Sequence, residues 1–86
     1  MEDLRDKLQH VAVTRFPGSA LELDRVAPDE KLSGFLLWEG FEPMEQLDRQ
    51  RHLNGVLRNE LTQDERGRIS MIFTLTPEEA AVMREG

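Results

Sequence analysis

The stretch LDRQRHLNGVLRNEL, residues 47–61, gathers the side chains of this chain best suited to grip another molecule: Arg49, Arg51, His52 and Arg58. A guanidinium is planar, always charged, and matches carboxylate or phosphate oxygens two at a time. Histidine is the side-chain type that gains a proton nearest neutral pH, so His52 would be a pH-sensitive neighbour of the arginines. Arginines at a helix start that follows a turn also enter DNA grooves in helix-turn-helix proteins. Cations at that end of a helix oppose its dipole. Asp48, the acids Glu39, Glu42 and Glu45, or an anionic group on a partner must therefore compensate. The competing reading is a solvated helix face whose arginines pair with Glu45 or other acids of the same chain.

Elsewhere the residues argue against catalysis. His10 stands three residues from Lys7 and His52 beside Arg51, and neither adjoins a nucleophile. No serine sits in a nucleophile elbow, and no glycine-rich loop cradles phosphate. The absence of cysteine excludes a disulfide scaffold, a zinc–thiolate site and a thiol nucleophile. Glu39, Glu42 and Glu45 crowd one loop, which does not ensure the convergent geometry a metal needs. The expectation is no enzyme and no cofactor. Trp38 closes an apolar run, and its large area suits either the core or a partner contact.

These residues need elements to position them. Leu4, Leu8, Val11 and Ala12 recur at helical spacing, with Glu2, Asp3 and Asp6 suiting the positive end of the helix dipole and Pro17-Gly18-Ser19 ending the run. ALELDRV alternates as a half-buried strand. Pro28 and Asp29 suit the corner of a polar turn, and GFLLWEG, residues 34–40, reads as a central strand, apolar on both faces. These two strands are expected to pair antiparallel. Met44 and Leu47 fall out of phase with Leu53, Val56, Leu57 and Leu61. The pattern predicts a short helical turn, a break near Leu47–Asp48, and a helix over about 49–61 capped by Asp48. Gly55 within it suggests a close approach to the sheet. Thr62 with Glu65 and Thr76 with Glu79 are two capping-box patterns, the second with Pro77 at the first helical position. Between them RISMIFTL is a strand, with Ile69, Met71, Phe73 and Leu75 on one face and Ile72 on the other. The strand–helix–strand passage suits a parallel pair. The predicted fold is α+β: one domain over 1–86, a three-stranded mixed sheet with helices packed on one face, in the order α-β-β-α(α)-β-α.

The formal net charge is −6, from 17 acids and 11 bases. Residues 1–46 hold ten acids and five bases, residues 47–68 four and five, and residues 69–86 three and one. An acidic whole repels nucleic acid and anionic membranes at long range. Only the middle segment escapes that handicap. No apolar run approaches the roughly 18–20 residues of a membrane span. MEDLRDKLQH lacks the basic-then-apolar layout of a signal peptide. A soluble, cytoplasmic domain is expected.

The element order, the run GFLLWEGFE and above all DRQRHLNGVLRNEL resemble the BolA-like proteins, small domains related in fold to the second class of KH modules. Arg49 and Arg51 match the two arginines of that family's signature segment, and Leu53, Leu57, Glu60 and Leu61 fit its remainder. Gln50 stands where the family has histidine between the arginines. The neighbourhood of Ser70 stands where the family has the strand histidine that binds a [2Fe–2S] cluster shared with monothiol glutaredoxins. Glutamine and serine do not replace such iron ligands. The resemblance thus implies the scaffold and the two arginines, Arg49 and Arg51; with the residues around them, the expectation is a regulatory module engaging a protein partner through Arg49, Arg51, His52, Arg58 and Trp38, beside the acidic loop that follows Trp38. A nucleic-acid-binding regulator using residues 44–61 is the alternative; it lacks the GXXG loop of the KH route. A third reading is metal or cluster binding by His10 and His52 with a partner's thiols.

Overall fold

A computed structural model describes residues 4–24 and 31–85. The expected turn at Pro28 and Asp29, and the acids Glu2 and Asp3, lie outside the described residues.

Helix α1 (Leu4–Arg15) buries Leu8, Val11 and Ala12. It stops where Pro17 and Gly18 follow, Gly18 taking a φ of 82° that side-chain-bearing residues resist. Strand β1 (Ala20–Leu23) turns Leu21 and Leu23 toward the core and leaves Ala20 and Glu22 exposed. Strand β2 runs Leu32–Leu37, two residues earlier than the apolar run suggests, because Leu32 is itself a core residue. Trp38 and Gly40 leave the strand, and Glu39–Phe41 form a 3-10 turn. Helix α2 (Gln46–Glu60), the short α3 (Gln63–Gly67), strand β3 (Ile69–Leu75) and helix α4 (Pro77–Glu85) complete the chain.

The sheet order is β1-β2-β3, with β1 antiparallel and β3 parallel to the central β2. The architecture is α+β with a mixed three-stranded sheet, as predicted. Its layering differs in one respect. Helices α1 and α2 cover one face, where Leu8, Val11, Phe16, Leu36, Leu53, Leu57 and Ile72 form the core. Helix α4 folds onto the other face, setting Ala80 and Met83 with Leu37 and Leu75 around a small cavity. Strand β3 differs from strict alternation as well. A register irregularity pairs Leu32 with Ile69 but Ser33 with Met71, skipping Ser70. A bulge of this kind resets the alternation. Ile69 therefore packs against the same core as Ile72, while Met71 and Phe73 lie on the opposite face.

Both outer strands have carbonyls met by side chains rather than by another strand. Gln9 Nε2 donates to the Leu21 carbonyl at 3.0 Å, and Arg5 donates to that of Asp24, just past β1, at 2.7 Å. On β3, Gln46 Nε2 donates to the Thr74 carbonyl at 3.1 Å and Gln50 Nε2 to that of Ile72 at 3.3 Å.

The two short helices are tied to the long ones by one device used twice. In each capping box the threonine hydroxyl accepts from the glutamate N–H, and the glutamate accepts from the threonine N–H: Thr62 with Glu65, Thr76 with Glu79. Each glutamate then accepts a cation from another helix, Lys7 on Glu65 at 2.8 Å and Arg49 on Glu79 at 2.7 Å. The Lys7 ammonium, then the Thr62 N–H, hold the Glu65 carboxyl below its usual range.

Gly55 makes no close approach. It is exposed, and a Cβ built on it meets nothing within 4 Å. Glycine inside a helix is worse than alanine by roughly 0.5–1 kcal/mol. Gly55→Ala is therefore expected to stabilise the domain by about that much and raise its Tm by several degrees. A melting temperature unchanged or lowered in calorimetry would contradict this placement.

Candidate functional site

Helix α2 begins at Gln46 without a break. Glu45 occupies the cap position and makes no side-chain cap bond, and Asp48 lies inside the first turn. Leu47, whose phase suggested a slip, is 60% exposed, and Met44 packs on the core from the preceding turn. The inward stripe of α2 runs Gln46, Arg49, Gln50, Leu53, Val56 and Leu57, changing from polar to apolar along the helix.

This placement takes Arg49 out of the contact set expected from the sequence. It is 7% exposed. Its Nε donates to the carbonyls of Phe41 and Met44, each at 3.0 Å, and its Nη1 to Gln46 Oε1 at 3.2 Å and Glu79 Oε1 at 2.7 Å. Those two carbonyls lie in the turns before α2, so one guanidinium clamps the 3-10 turn, the start of α2 and the start of α4. The Arg49 guanidinium, followed by the Thr76 N–H, holds the Glu79 carboxyl below its ordinary range. Gln50 is also structural, donating to Thr74 Oγ1 at 3.2 Å besides the Ile72 carbonyl.

Arg51, His52 and Arg58 are exposed. Arg51 and Arg58 have no ion pair among the described residues. His52 is brought to Trp38: their rings lie nearly parallel, 8° apart in plane and 6.2 Å between centroids, and Phe16 meets His52 edge-on at 5.3 Å. Trp38 is half-buried. Its ring meets Phe16 and Phe41 edge-on, each at 5.1 Å, and its Nε1 donates to the Pro17 carbonyl at 2.9 Å. Gly40 lies under the indole, where a Cβ would come within 2.5 Å of the ring. The indole thus joins α1 to the 3-10 turn, with His52 on its outer side. Arg58 lies apart from this group, at the mouth of a cleft between α2 and β3. Among the described residues no three His, Asp or Glu side chains converge as metal ligands would.

Two features escape the sequence pattern. The first is the open sheet face. Phe35 and Phe73, paired across β2 and β3, stack at 5.5 Å, and Met71, Phe73 and Met83 are 46%, 47% and 58% exposed. Beside them the cavity under α4, about 170 Å³, is walled by Phe35, Leu37, Leu75, Ala80 and Met83. The β1 edge of this face carries Glu22, paired with Arg84, and Asp24, which accepts from Ser33 Oγ at 2.9 Å. The second is Arg66 on α3, which faces the same cleft as Arg58. Alternation does set Met71, Phe73 and Leu75 opposite Ile72, but it groups Ile69 with them, and the bulge at Ser70 carries Ile69 to the core face.

Compared with protein-family models, with curated proteins and with solved structures, the chain matches none.

Proposed function

We propose that this chain is a noncatalytic, BolA-like binding module of the cytoplasm, and that its partner is a protein held on the open sheet face. One observation carries the reading: Phe73, stacked on the partly buried Phe35, and Met71 are each about half exposed and stand beside a cavity sized for an inserted side chain. Apolar surface left contiguous and rimmed by polar groups marks an interaction site more often than an accident of packing. A binding hot spot commonly takes the form of an aromatic or aliphatic anchor in such a pocket. The partner's chemistry follows from the charge. The face is bordered by Asp24 and by Glu22, whose charge Arg84 meets, in a chain of net charge −6. An apolar anchor flanked by basic residues complements it, and a nucleic-acid backbone does not. On this reading Arg51, His52 and Trp38 lie outside the main contact.

The test is site-directed photo-crosslinking in native cell extract. A benzoylphenylalanine replacing Phe73 should yield a discrete protein adduct. The same group at the 67%-exposed Val13 on α1 should yield none. Phe73→Glu, at a solvent-facing position, should keep the fold and abolish capture. Adducts at both positions alike, adducts only at 13, or none at either would overturn the reading.

A further inference from the structure

The cleft between α2 and β3 brings together two arginines that the fold leaves unused. It encloses about 220 Å³ between Gln50, Asn54 and Arg58 of α2, Arg66 of α3 and residues 69–72 of β3, over a floor that includes the buried Leu53 and Leu57. This chain pairs its cations readily: Lys7, Arg15, Arg49, Arg68 and Arg84 each meet a carboxylate. Arg58 and Arg66 meet none among the described residues. Arg66 Nε is moreover buried with no acceptor. A buried guanidinium N–H without an acceptor is a cost that native structures rarely carry without reason. Nor does the fold account for two arginines, neither with a carboxylate partner among the described residues, lining one cleft in a chain with an excess of six acidic charges.

We infer that the cleft binds a phosphomonoester. The choice among anions rests on oxygen count. Two guanidinia on different helices offer two forks, and each fork uses up to two acceptor oxygens. A carboxylate has two oxygens and a phosphodiester two non-bridging ones, while a phosphomonoester presents three. The Asn54 amide and the Ser70 hydroxyl are further donors on the walls. The volume is below the roughly 300–1,000 Å³ of sites for drug-sized ligands. The cleft therefore accommodates a phosphoryl group with a small attached moiety, whose carbon atoms would rest on the leucine floor. This inference is independent of the sheet-face reading.

The experiment is an amide and arginine side-chain NMR titration of the full chain at low salt, with inorganic phosphate, free phosphoserine and a phosphodiester dinucleotide as separate probes. Phosphate and phosphoserine should give saturable shifts confined to residues 50–58, 66 and 69–72, with the Arg58 and Arg66 side-chain resonances among those that move. Phosphoserine binding tighter than phosphate would identify the attached moiety as part of the ligand. Arg66→Gln and Arg58→Gln should each weaken binding about tenfold, the scale of one lost charge-assisted fork. Both residues lack ion pairs among the described residues, so the unliganded variants should melt close to the parent. The inference is overturned if shifts are diffuse or non-saturable, if both variants bind as the parent does, or if the dinucleotide binds more tightly than the monoesters.

Discussion

Gly34→Ala should detach β1 from the sheet. A Cβ at position 34 would stand 2.1 Å from the carbonyl oxygen of Glu22, 3.0 Å from Leu23 Cα and 3.1 Å from the Glu22 carbonyl carbon. All three atoms are backbone, so no rotamer change relieves the clash. Strand β1 has four residues, aligned with β2 from Ala20 opposite Leu37 to Leu23 opposite Gly34. To admit one methyl group it must move away and give up ladder hydrogen bonds. Overpacking alone costs about 1–3 kcal/mol, and lost pairing adds to it. The expected total is at least about 3 kcal/mol, in a domain whose size implies a stability on the order of 5–10 kcal/mol. Urea titration should show a much lower midpoint, and amide exchange at Glu22 and Leu23 should become fast. A midpoint near the parent's with β1–β2 cross-strand NOEs intact would contradict the close approach.

Arg49→Met should be comparably harmful, for the opposite reason. Methionine fits the stem's volume but leaves the Met44 carbonyl without the buried guanidinium, the Phe41 carbonyl with the Met44 N–H alone, and Glu79 without its cation. Hydrogen bonds to charged groups are worth more than neutral ones, and orphaned buried partners add their desolvation cost. The expected loss is about 2–4 kcal/mol, or a Tm lower by roughly 10–20 °C. The same variant has a pH signature. Because the carboxyl of Glu79 is held below its ordinary value of 4.5, it contributes stability fully above about pH 4.5 and loses it as pH falls through the depressed folded value. Removing the guanidinium removes the larger cause of that depression. The variant should therefore lose less stability than the parent between pH 5 and pH 3, in the range where the linkage acts. Parallel stability–pH curves for the two proteins would show that the Arg49–Glu79 pair is not coupled in solution.

Most of the fold is legible from residue types, and the exceptions share a cause. The strand pairing, the end of α1 and both capping boxes are announced by local chemistry: alternation, Pro-Gly, and threonine three residues before glutamate. Helix α2 misleads because hydrophobic phase assumes that the inward stripe is apolar. Its first turns face inward with Gln46, Arg49 and Gln50, which meet backbone carbonyls instead of the leucine core. The apolar neighbours Met44 and Leu47 then imitate a phase break. Arg49 reads as a contact residue for the same reason, since an arginine near a helix start is outwardly identical whether its fork meets a partner or its own chain. The spacing of Arg49 four residues before Leu53 is the clue that it points inward. The bulge at Ser70 and the position of α4 depend on tertiary fit, and nothing in RISMIFTL encodes them.

The glutamine and arginine side chains along the outer strands have a consequence for how this domain behaves at high concentration. Strand addition is the ordinary route by which sheet proteins swap segments, recruit peptides or seed fibrils, and it requires a row of vacant backbone groups. Gln46 and Gln50 occupy successive outward carbonyls of β3, and Gln9 and Arg5 engage the β1 side. A second chain would have to displace these side chains from their acceptors before it could add a strand. Strand-added oligomers and ordered aggregates should therefore arise by way of partly unfolded chains rather than from the native edges.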